Sequence, residues 1–431
     1  MIGITDYRFD FVREPLKIAF SFKGGSFTEK WIVITSLKDR TGHWETGIGG
    51  LAVLWSDSTV AGEHSEAGGN ILMAAVAERG AKLAVGREFD HPEEVTLGIA
   101  DELKGYASAI SGIPEIRDTF IFNSLVSLDC SLWKHYARYR RTCDARKLLS
   151  SLYGDFFTVK HNRIARVPTI TYHMGLSDIE ELAEMGHFLF KIKIGHSGSQ
   201  EEMLKHDRRR LLEVHEVLKD YRTPNTEKGV ILYYLDANGR YSTIDAFLKL
   251  VDFLDRSGIK DRVVIIEEPF PEECDYDVSG IPIRIAADES IQSVKDVAKR
   301  AKLGYNTIAL KPAGKTPSLT ARIAIAAIDL GATCFVADSA CIPVLLEWNK
   351  LFAACLPSLP ELSTGFLESN GPEHYLRWDE LLREHPCTSA SWIIPKHGMF
   401  ELDEKFFTVS GGILKKYPRY EEILKDSFNK N

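Results

Sequence analysis

LFKIKIG, residues 189–195, is an apolar, strand-like stretch that carries two lysines. Lys191 and Lys193 are two residues apart, and in a strand this spacing places both side chains on one face. The two side chains would then lie about 7 Å apart, the rise of two strand residues. A buried charge is costly unless it is paired or bound to a metal. We therefore expect this face of the strand to line a polar site.

Short apolar runs alternate with amphipathic helical stretches from about residue 168 onward. The runs are TITYHMG, LFKIKIG, GVILYYLDANG, VVIIEEP, IRIAADES, TIALKPAG, CFVADS and LPELSTG. Alternation of strands and helices specifies a parallel sheet, and about eight strands in roughly 200 residues favour a TIM-type barrel over an open sheet. The predicted fold class is therefore α/β, with a (β/α) barrel of TIM type and about seven or eight strands.

The residues before the barrel pattern are organised differently. Strand-like stretches with turns, including a predicted hairpin turn at Asp39–Gly42, fill residues 1–60, and helical patterns follow them. We predict an α+β capping domain over residues 1–141, a linker over 142–166, the catalytic barrel over 167–386 and a C-terminal segment over 387–431 that packs back on the cap.

Composition excludes several classes of function. The formal net charge of −8 argues against nucleic acid or an acidic membrane surface as a partner. The seven cysteines form no CxxC pair, which indicates neither a zinc site nor a disulfide framework and suits a reducing compartment. GIGG (47–50) lacks the context of a dinucleotide fingerprint. With no signal-peptide pattern and no long apolar run, we expect a cytoplasmic protein without membrane contact.

Ionisable side chains occur at the carboxyl ends of five successive predicted strands. The intervals between them along the chain, taken from Lys193 to Lys311, are 43, 31, 21 and 23 residues, each about one βα unit. The carboxyl ends of barrel strands converge on one mouth, where such enzymes place their chemistry. The strand-end residues are Lys191 with Lys193, Asp236 with Asn238, Glu267 with Glu268, Asp288 with Glu289, and Lys311.

Three of these strands offer carboxylates in a row. Asp236, Glu267 and Asp288 supply hard oxygen ligands, which select Mg²⁺ over zinc, with Mn²⁺ as an alternative. Lysines flank this acidic trio on both sides in the strand order. Ligands between two opposed candidate bases suit removal of the proton on the carbon α to a carboxylate, because the metal neutralises the developing enediolate.

The paired lysines suggest how one of them becomes a base. An isolated lysine has a pKa of about 10.4 and is almost fully protonated at neutral pH. A second ammonium about 7 Å away, at an effective dielectric constant of about 20, costs roughly 2.4 kcal/mol. We therefore hypothesise that Lys193 is the base and that Lys191 is the charge that tunes it and binds the substrate carboxylate.

KIK, DANG, EEP, ADES and the strand that ends in Lys311–Pro312 together resemble the enolase superfamily, muconate lactonizing enzyme (mandelate racemase/muconate lactonizing enzyme) subgroup. The resemblance covers most of the chain, since the opening strands and TGHWETGIGG (41–50) are similar to the family's capping domain. It implies a Mg²⁺ held by Asp236, Glu267 and Asp288, with Lys193 and Lys311 as the acid/base pair. The other predicted residues, which would support these groups or contact substrate, are Asn238, Glu268, Glu289, Asp338 and Glu361.

Two opposed lysines permit proton transfer on either face of a carbon, so we predict a racemase or epimerase acting on a small carboxylate, in a homo-oligomer. A cycloisomerase or dehydratase of the same subgroup is the alternative. ELSTG, taken as the last strand, offers Glu361 and Ser363 where dipeptide epimerases carry Asp-x-Asp, which argues against a dipeptide substrate. The cap loops around residues 20–28 and 52–62 should select the substrate.

Two enzyme classes outside this subgroup fit parts of the pattern. A Schiff-base aldolase could use Lys193 or Lys311 covalently and would need no metal. A glycosidase could use paired carboxylates, but it would leave the inward lysines unexplained.

Overall fold

The computed structural model describes residues 1–22, 25–157 and 159–429. An N-terminal antiparallel sheet with a layer of helices is followed by an α/β barrel. The predicted α/β class and the separate N-terminal sheet are thus confirmed. Lys23 and Gly24, which belong to the predicted cap loop, lie outside the described residues.

The cap sheet is built from long antiparallel strands in the order β3-β2-β1-β4. Its strands are β1 Ile2–Phe22, β2 Gly25–Asp39, β3 Trp44–Leu51 and β4 Glu88–Phe89. The hairpin between β2 and β3 is fixed by Asp39, whose Oδ1 accepts hydrogen bonds from the backbone amides of Thr41 (2.8 Å) and His43 (3.0 Å). This turn lies where the sequence predicted it.

Helices cover one face of the cap sheet. They are α1 Val53–Ser56, α2 Ser58–Glu63, α3 Glu66–Ala84, α4 Pro92–Gly98, α5 Ala100–Ser111, α6 Asp118–Ser124, α7 Val126–Tyr139 and α8 Ala145–Tyr153, followed by the 3₁₀ helix Gly154–Phe157. The glycines of GIGG let α7 approach β3 closely: a Cβ at Gly47 would lie 2.1 Å from the carbonyl oxygen of Ser127, and one at Gly49 would lie 2.7 Å from the Ser127 amide. This glycine-rich stretch is thus a surface for helix packing.

The barrel strands pair in parallel in chain order. They are β5 Arg163–Val167, β6 Thr169–Ile170, β7 Leu189–Lys193, β8 Leu232–Asp236, β9 Val263–Glu267, β10 Ile285–Ala287, β11 Thr307–Leu310, β12 Thr333–Val336 and β13 Gly365–Glu368. β5 pairs with β13 and β6 pairs with β7, so this single segment, interrupted at Pro168, joins the two ends of the sheet. β14 Met399–Glu401 adds to β5 in the antiparallel direction.

Amphipathic helices follow most barrel strands and cover their outer face. In one of them Phe247, Leu250, Val251 and Leu254 are buried at helical spacing. The barrel helices are α9 Leu176–Glu184, α10 Gln200–Leu218, α11 Ile244–Arg256, α12 Val294–Lys302, α13 Pro312–Lys315, α14 Pro317–Asp329 and α15 Pro343–Cys355, with the 3₁₀ helix Lys260–Arg262. The remaining ones are α16 Gly371–His374, α17 Trp378–Arg383, α18 Glu404–Val409 and α19 Pro418–Asn429, with the 3₁₀ helix Ser410–Gly412. None of these helices, over the described ranges, is long and apolar enough to span a membrane.

Two boundaries differ from the sequence prediction. The stretch 142–166, predicted as a linker, contains α8 and the barrel strand β5. Pro168, which has no amide hydrogen to donate, interrupts the strand at the point where the sequence pattern was taken to begin. The last barrel strand is β13, not LPELSTG, which precedes it. Contacts of the C-terminal helix with the cap include a 2.5 Å hydrogen bond from Arg419 to Glu14; the domain division itself stays a prediction.

His385 gives the fold an expected pH dependence. It is buried beside α15, its Nδ1 accepts a hydrogen bond from the Cys387 amide (3.0 Å), and burial together with Lys350 lowers the pKa of His385 from 6.5 to about 3. Because the folded-state pKa is lowered, the stabilisation is complete above about pH 6.5 and is lost as the pH falls through about 3. We expect the free energy of unfolding in urea to fall by up to about 1.4 kcal/mol per pH unit in this window.

The variant His385→Asn tests this assignment, because asparagine retains an acceptor for the Cys387 amide but cannot be protonated. It should flatten the dependence of unfolding free energy on pH. His91→Asn, at an exposed position, is the matched control and should leave the slope unchanged. An unaltered slope in His385→Asn would contradict the role assigned to this side chain.

Candidate active site

The carboxyl ends of the barrel strands bring most of the predicted residues together around one cavity. The cavity has a volume of about 70 Å³ and lies between the barrel mouth and the cap. Lys193 ends β7 and Asp236 ends β8, whereas Asp288 and Lys311 directly follow β10 and β11. Glu267 and Glu268 are buried beside the cavity without lining it.

Lys191 is enclosed by carboxylates. Its Nζ lies 2.7 Å from Asp236 Oδ2, 2.9 Å from Glu267 Oε2 and 3.0 Å from Glu368 Oε2, and the side chain is 3% exposed. The Tyr234 hydroxyl donates a further hydrogen bond to Glu267 Oε2. Burial alone would lower the pKa of Lys191, but the three carboxylates outweigh it and hold that pKa well above its usual value. Lys191 is therefore a fixed positive charge that ties several strands together.

Lys193 also binds the carboxylate of Asp236. Its Nζ donates to Asp236 Oδ2 and to Asn238 Oδ1, both at 2.6 Å. Asp236 Oδ2 thus lies between the ammonium groups of Lys191 and Lys193. This shared oxygen attracts both ammonium groups and so offsets their mutual repulsion. The repulsion of about 2.4 kcal/mol that the sequence predicted did not include it.

Lys311 lies across the barrel from Lys193, because β7 and β11 are separated by β8, β9 and β10 in the sheet. Its Nζ lies 2.8 Å from Asp288 Oδ2, donates to the carbonyl oxygen of Asp338 (3.1 Å) and stands 5.0 Å from the centre of the Trp55 ring. Burial opposes the charge of Lys311, but Asp288 and Glu267 raise its pKa above the usual value.

The carboxylates are oxygen donors of the type that suits a hard cation, although the described residues contain no ready-made group of three His, Cys, Asp or Glu side chains in metal-binding arrangement. Lysine ammonium groups bridge them instead, with Lys191 between Asp236 and Glu267 and Lys311 on Asp288. Glu267 Oε1 is buried and accepts no hydrogen bond within the described part of the chain. Burial and the charge of Asp236 raise the pKa of Glu267 well above its usual value. A divalent cation would satisfy this oxygen and relieve the crowding of negative charge.

Glu268 supports the backbone that carries Asp288. Its Oε2 accepts hydrogen bonds from the Asp288 amide (2.7 Å) and from Ser290 Oγ (3.0 Å), and burial raises its pKa to about 8. Glu289 accepts a hydrogen bond from Asn238 Nδ2 (3.1 Å) and lines the cavity. Because β10 ends at Ala287, Asp288 and Glu289 lie beyond the strand, and both line the cavity.

Of the remaining predicted residues, Asp338 lies at the cavity and Glu361 does not. Asp338 lines the cavity, and its Oδ1 accepts hydrogen bonds from the amides of Ser339 (2.8 Å) and Cys341 (3.2 Å). Glu361 precedes β13 and lies 2.8 Å from Arg284, which precedes β10. Because both residues are at the amino ends of their strands, Glu361 lies away from the cavity, contrary to the prediction.

Several residues of the site were missed from the sequence. Glu368 ends the true last strand, and its Oε1 accepts hydrogen bonds from Thr169 Oγ1 (2.8 Å) and Asn370 Nδ2 (3.0 Å). The apolar run GFLE ends in an acidic residue like the other strands, but LPELSTG just before it also carries one, so the pattern does not distinguish Glu368 from Glu361. Phe20, Phe27 and Trp55, which also line the cavity, belong to the predicted cap loops around 20–28 and 52–62, whereas Lys30, Asn370 and His374 were missed.

A wider cavity of about 530 Å³ adjoins the first on the Lys193 side. The two cavities share Phe20, Lys193, Asn238, Asn370 and His374 as lining residues. This gives a ligand room to extend outward past Lys193, whereas the side next to Lys311 is enclosed by the cap.

The fold and the site together define an α/β barrel with lysines and carboxylates at its mouth beneath an N-terminal cap. No protein-family model and no curated protein matches the sequence. Solved structures do match the fold, with sequence identities from 13% to 19% in those compared. Several are described as mandelate racemase/muconate lactonizing enzymes, including proteins from Herpetosiphon aurantiacus and Roseiflexus.

The matching structures include enzymes with named activities. The L-Ala-D/L-Glu epimerase from Bacillus subtilis has a TM-score of 0.67 and 13% identity over 93% of this chain and 96% of its own. The dipeptide epimerase from Enterococcus faecalis, complexed with Mg and L-Leu-L-Tyr, has a TM-score of 0.64 and 14% identity, covering 93% and 98%. The muconate lactonizing enzyme from Pseudomonas fluorescens, complexed with muconolactone, has a TM-score of 0.61 and 18% identity, covering 85% and 87%. At the level of the fold, these matches confirm the resemblance to the enolase superfamily.

Proposed function

We propose that this protein is a divalent-metal-dependent enzyme of the enolase superfamily that removes the proton α to a carboxylate through an enediolate. The observation that carries the proposal is the placement of Lys193 and Lys311 on opposite sides of the barrel, with Asp236, Glu267 and Asp288 on the strands between them. The predicted cytoplasmic location and homo-oligomeric state accompany this proposal as expectations.

The three carboxylates would hold the cation. Asp236, Glu267 and Asp288 are oxygen ligands of the kind that Mg²⁺ or Mn²⁺ prefers. When bound, the cation supplies positive charge that stabilises the negative oxygens of the enediolate. Lys191 contacts two of these carboxylates and fixes their orientation.

The two opposed lysines would move the proton. A lysine accepts a proton in its neutral form and donates one in its ammonium form, so one lysine of the pair must start neutral and the other protonated. The C–H electron pair stays on the substrate when the proton leaves to the Nζ of Lys193 or Lys311. Return of a proton from the other lysine to the opposite face inverts the carbon, which makes racemisation or epimerisation the reaction that this geometry favours.

A cycloisomerase or dehydratase of the same subgroup is the second candidate. These reactions pass through the same enediolate. The similarity of the fold to a muconate lactonizing enzyme supports a cycloisomerase as the second candidate. A Schiff-base aldolase is the candidate from a different class, because Lys193 or Lys311 could form a covalent intermediate without a metal.

The proposal is tested by solvent exchange. In D₂O with Mg²⁺, a panel of α-substituted carboxylic acids should include at least one class that gains deuterium at the α-carbon, measured by NMR or mass spectrometry. EDTA should lower the rate at least about 100-fold, and added Mg²⁺ should restore it.

Glu361→Gln is the matched control, since this side chain lies away from the cavity, and it should exchange at the rate of the unmodified protein. Absence of exchange in every class of acid would refute the proposal. Inactivation by borohydride, with activity retained in EDTA, would indicate the aldolase instead.

A further inference from the structure

Lys30 is a buried lysine that the proposed proton transfer does not use. It extends from β2 of the cap into the cavity, is 2% exposed, and its Nζ donates a hydrogen bond to the carbonyl oxygen of Ser339 (2.7 Å). No carboxylate within the described ranges lies close enough to form an ion pair with it, whereas Lys191, Lys193 and Lys311 each bind at least one. Among the described residues, the carboxylate that acts on Lys30 is that of Asp338, which lines the same cavity but forms no ion pair with it.

An unpaired ammonium in such a position is costly. Burial lowers the pKa of Lys30 to about 8, which still leaves most of the side chain protonated at neutral pH. Removing a charge from water without a counter-charge costs several kcal/mol, on the order of the stability of a small domain. A bound anion would offset this cost, because it would place a negative charge next to the ammonium.

The cap is shaped to admit this side chain. A Cβ at Gly50 of β3 would lie 2.8 Å from Lys30 Cε, so the stem of the lysine passes over bare backbone. The position of the ammonium is also defined, because Lys30 and Lys311 donate to the consecutive carbonyl oxygens of Ser339 and Asp338. Lys30 therefore lies on the Lys311 side of the cavity, opposite the opening past Lys193.

We propose that Lys30 binds a second anionic group of the substrate, a carboxylate or a phosphate, on the Lys311 side of the reacting carbon. The inference rests on the proposed function, in which the first carboxylate is the one next to that carbon. It narrows the substrates to acids with two negatively charged groups. Lys30 is then a specificity-determining residue that comes from the cap and takes no part in proton transfer.

Binding of matched acids to the protein with Mg²⁺, measured by titration calorimetry, tests the inference. Glutarate and adipate represent diacids, pentanoate and hexanoate are the monoacids of equal length, and 4-phosphonobutyrate represents the phosphate arm. At least one dianion should bind about tenfold or more tightly than its monoacid, because only the dianion can form a charge-assisted hydrogen bond with Lys30. Tighter binding of the diacids would identify the second anionic group as a carboxylate, and tighter binding of 4-phosphonobutyrate would identify it as a phosphate.

Variants separate this role from a structural one. Lys30→Met should abolish the preference for the dianion while leaving the affinity for monoacids within about twofold. Gly50→Ala, whose methyl group displaces the lysine stem, should weaken the same preference without removing the charge. Lys38→Met, on the same strand but away from the cavity, is the control and should change neither affinity.

Equal affinity for monoacids and dianions, or no measurable binding of any dianion, would overturn the inference. A parallel loss of both affinities in Lys30→Met would also overturn it, since that result indicates only a structural tie to Ser339. The readout needs no turnover, so a failed exchange experiment and a failed Lys30 experiment are distinguishable.

Discussion

Replacing Lys193 or Lys311 by methionine is expected to stop α-proton exchange of one enantiomer each and to leave the other enantiomer exchanging. In the proposed reaction each lysine would face the substrate from its own side of the barrel, so each would reach the proton on one face only. Loss of a positioned general base typically lowers a rate by about 10²–10⁴-fold. Methionine retains the length of the side chain, which limits disturbance of the packing around Asp236 and Asp288.

The measurement follows deuterium incorporation into each enantiomer separately, with the affinity for Mg²⁺ determined in parallel. The exchange of the untouched enantiomer is the internal control for folding and metal binding. Loss of both exchange reactions in each variant, with normal affinity for Mg²⁺, would contradict the two-base scheme. It would favour a one-base reaction such as cycloisomerisation or dehydration.

Replacing Lys191 by methionine is expected to destabilise the fold strongly. Its ammonium is the shared partner of Asp236, Glu267 and Glu368, and all of these side chains are buried. Removing one partner of a buried ion pair costs about 3–5 kcal/mol, because the remaining charges are left without compensation. We expect a decrease of this size in the free energy of unfolding, measured by urea denaturation in EDTA.

Two further variants sharpen this test. Lys193→Met removes an ammonium whose side chain is 11% exposed, against 3% for Lys191, so its cost should be clearly smaller. Adding Glu368→Gln to Lys191→Met should recover part of the stability, because one uncompensated charge is removed. Equal losses for Lys191→Met and Lys193→Met would show that the enclosure by three carboxylates does not contribute as described.

Much of the barrel could be predicted because its strands are short apolar runs that end in charged residues. The two ends of the barrel could not. Pro168 interrupts the first strand and hides its start at Arg163. At the other end, LPELSTG and GFLE are both short stretches with an acidic residue, and no local pattern shows that Glu368, rather than Glu361, belongs to the strand end.

The site prediction was also limited, because local sequence patterns do not show which distant residues come into contact. The apposition of Lys193 and Asp236 in neighbouring strands places a carboxylate between the two lysines, and no spacing in the sequence indicates this. Lys30 and Ser339 are 309 positions apart and meet only through the packing of the cap on the barrel. Local periodicity can indicate which strand ends carry charge, but the pairing of those charges follows from the assembled fold.

Lys191 also has a consequence for how such a protein could change during evolution. Its ammonium joins β7 to β8, β9 and β13, so the same ion pairs that orient the carboxylates also hold the barrel together. Substitutions among these carboxylates would be purged for misfolding before any new activity could be selected. Lys30 and Trp55 come from the cap and, in the described part of the chain, form no ion pair with these carboxylates, so new substrate preferences should arise first in the cap.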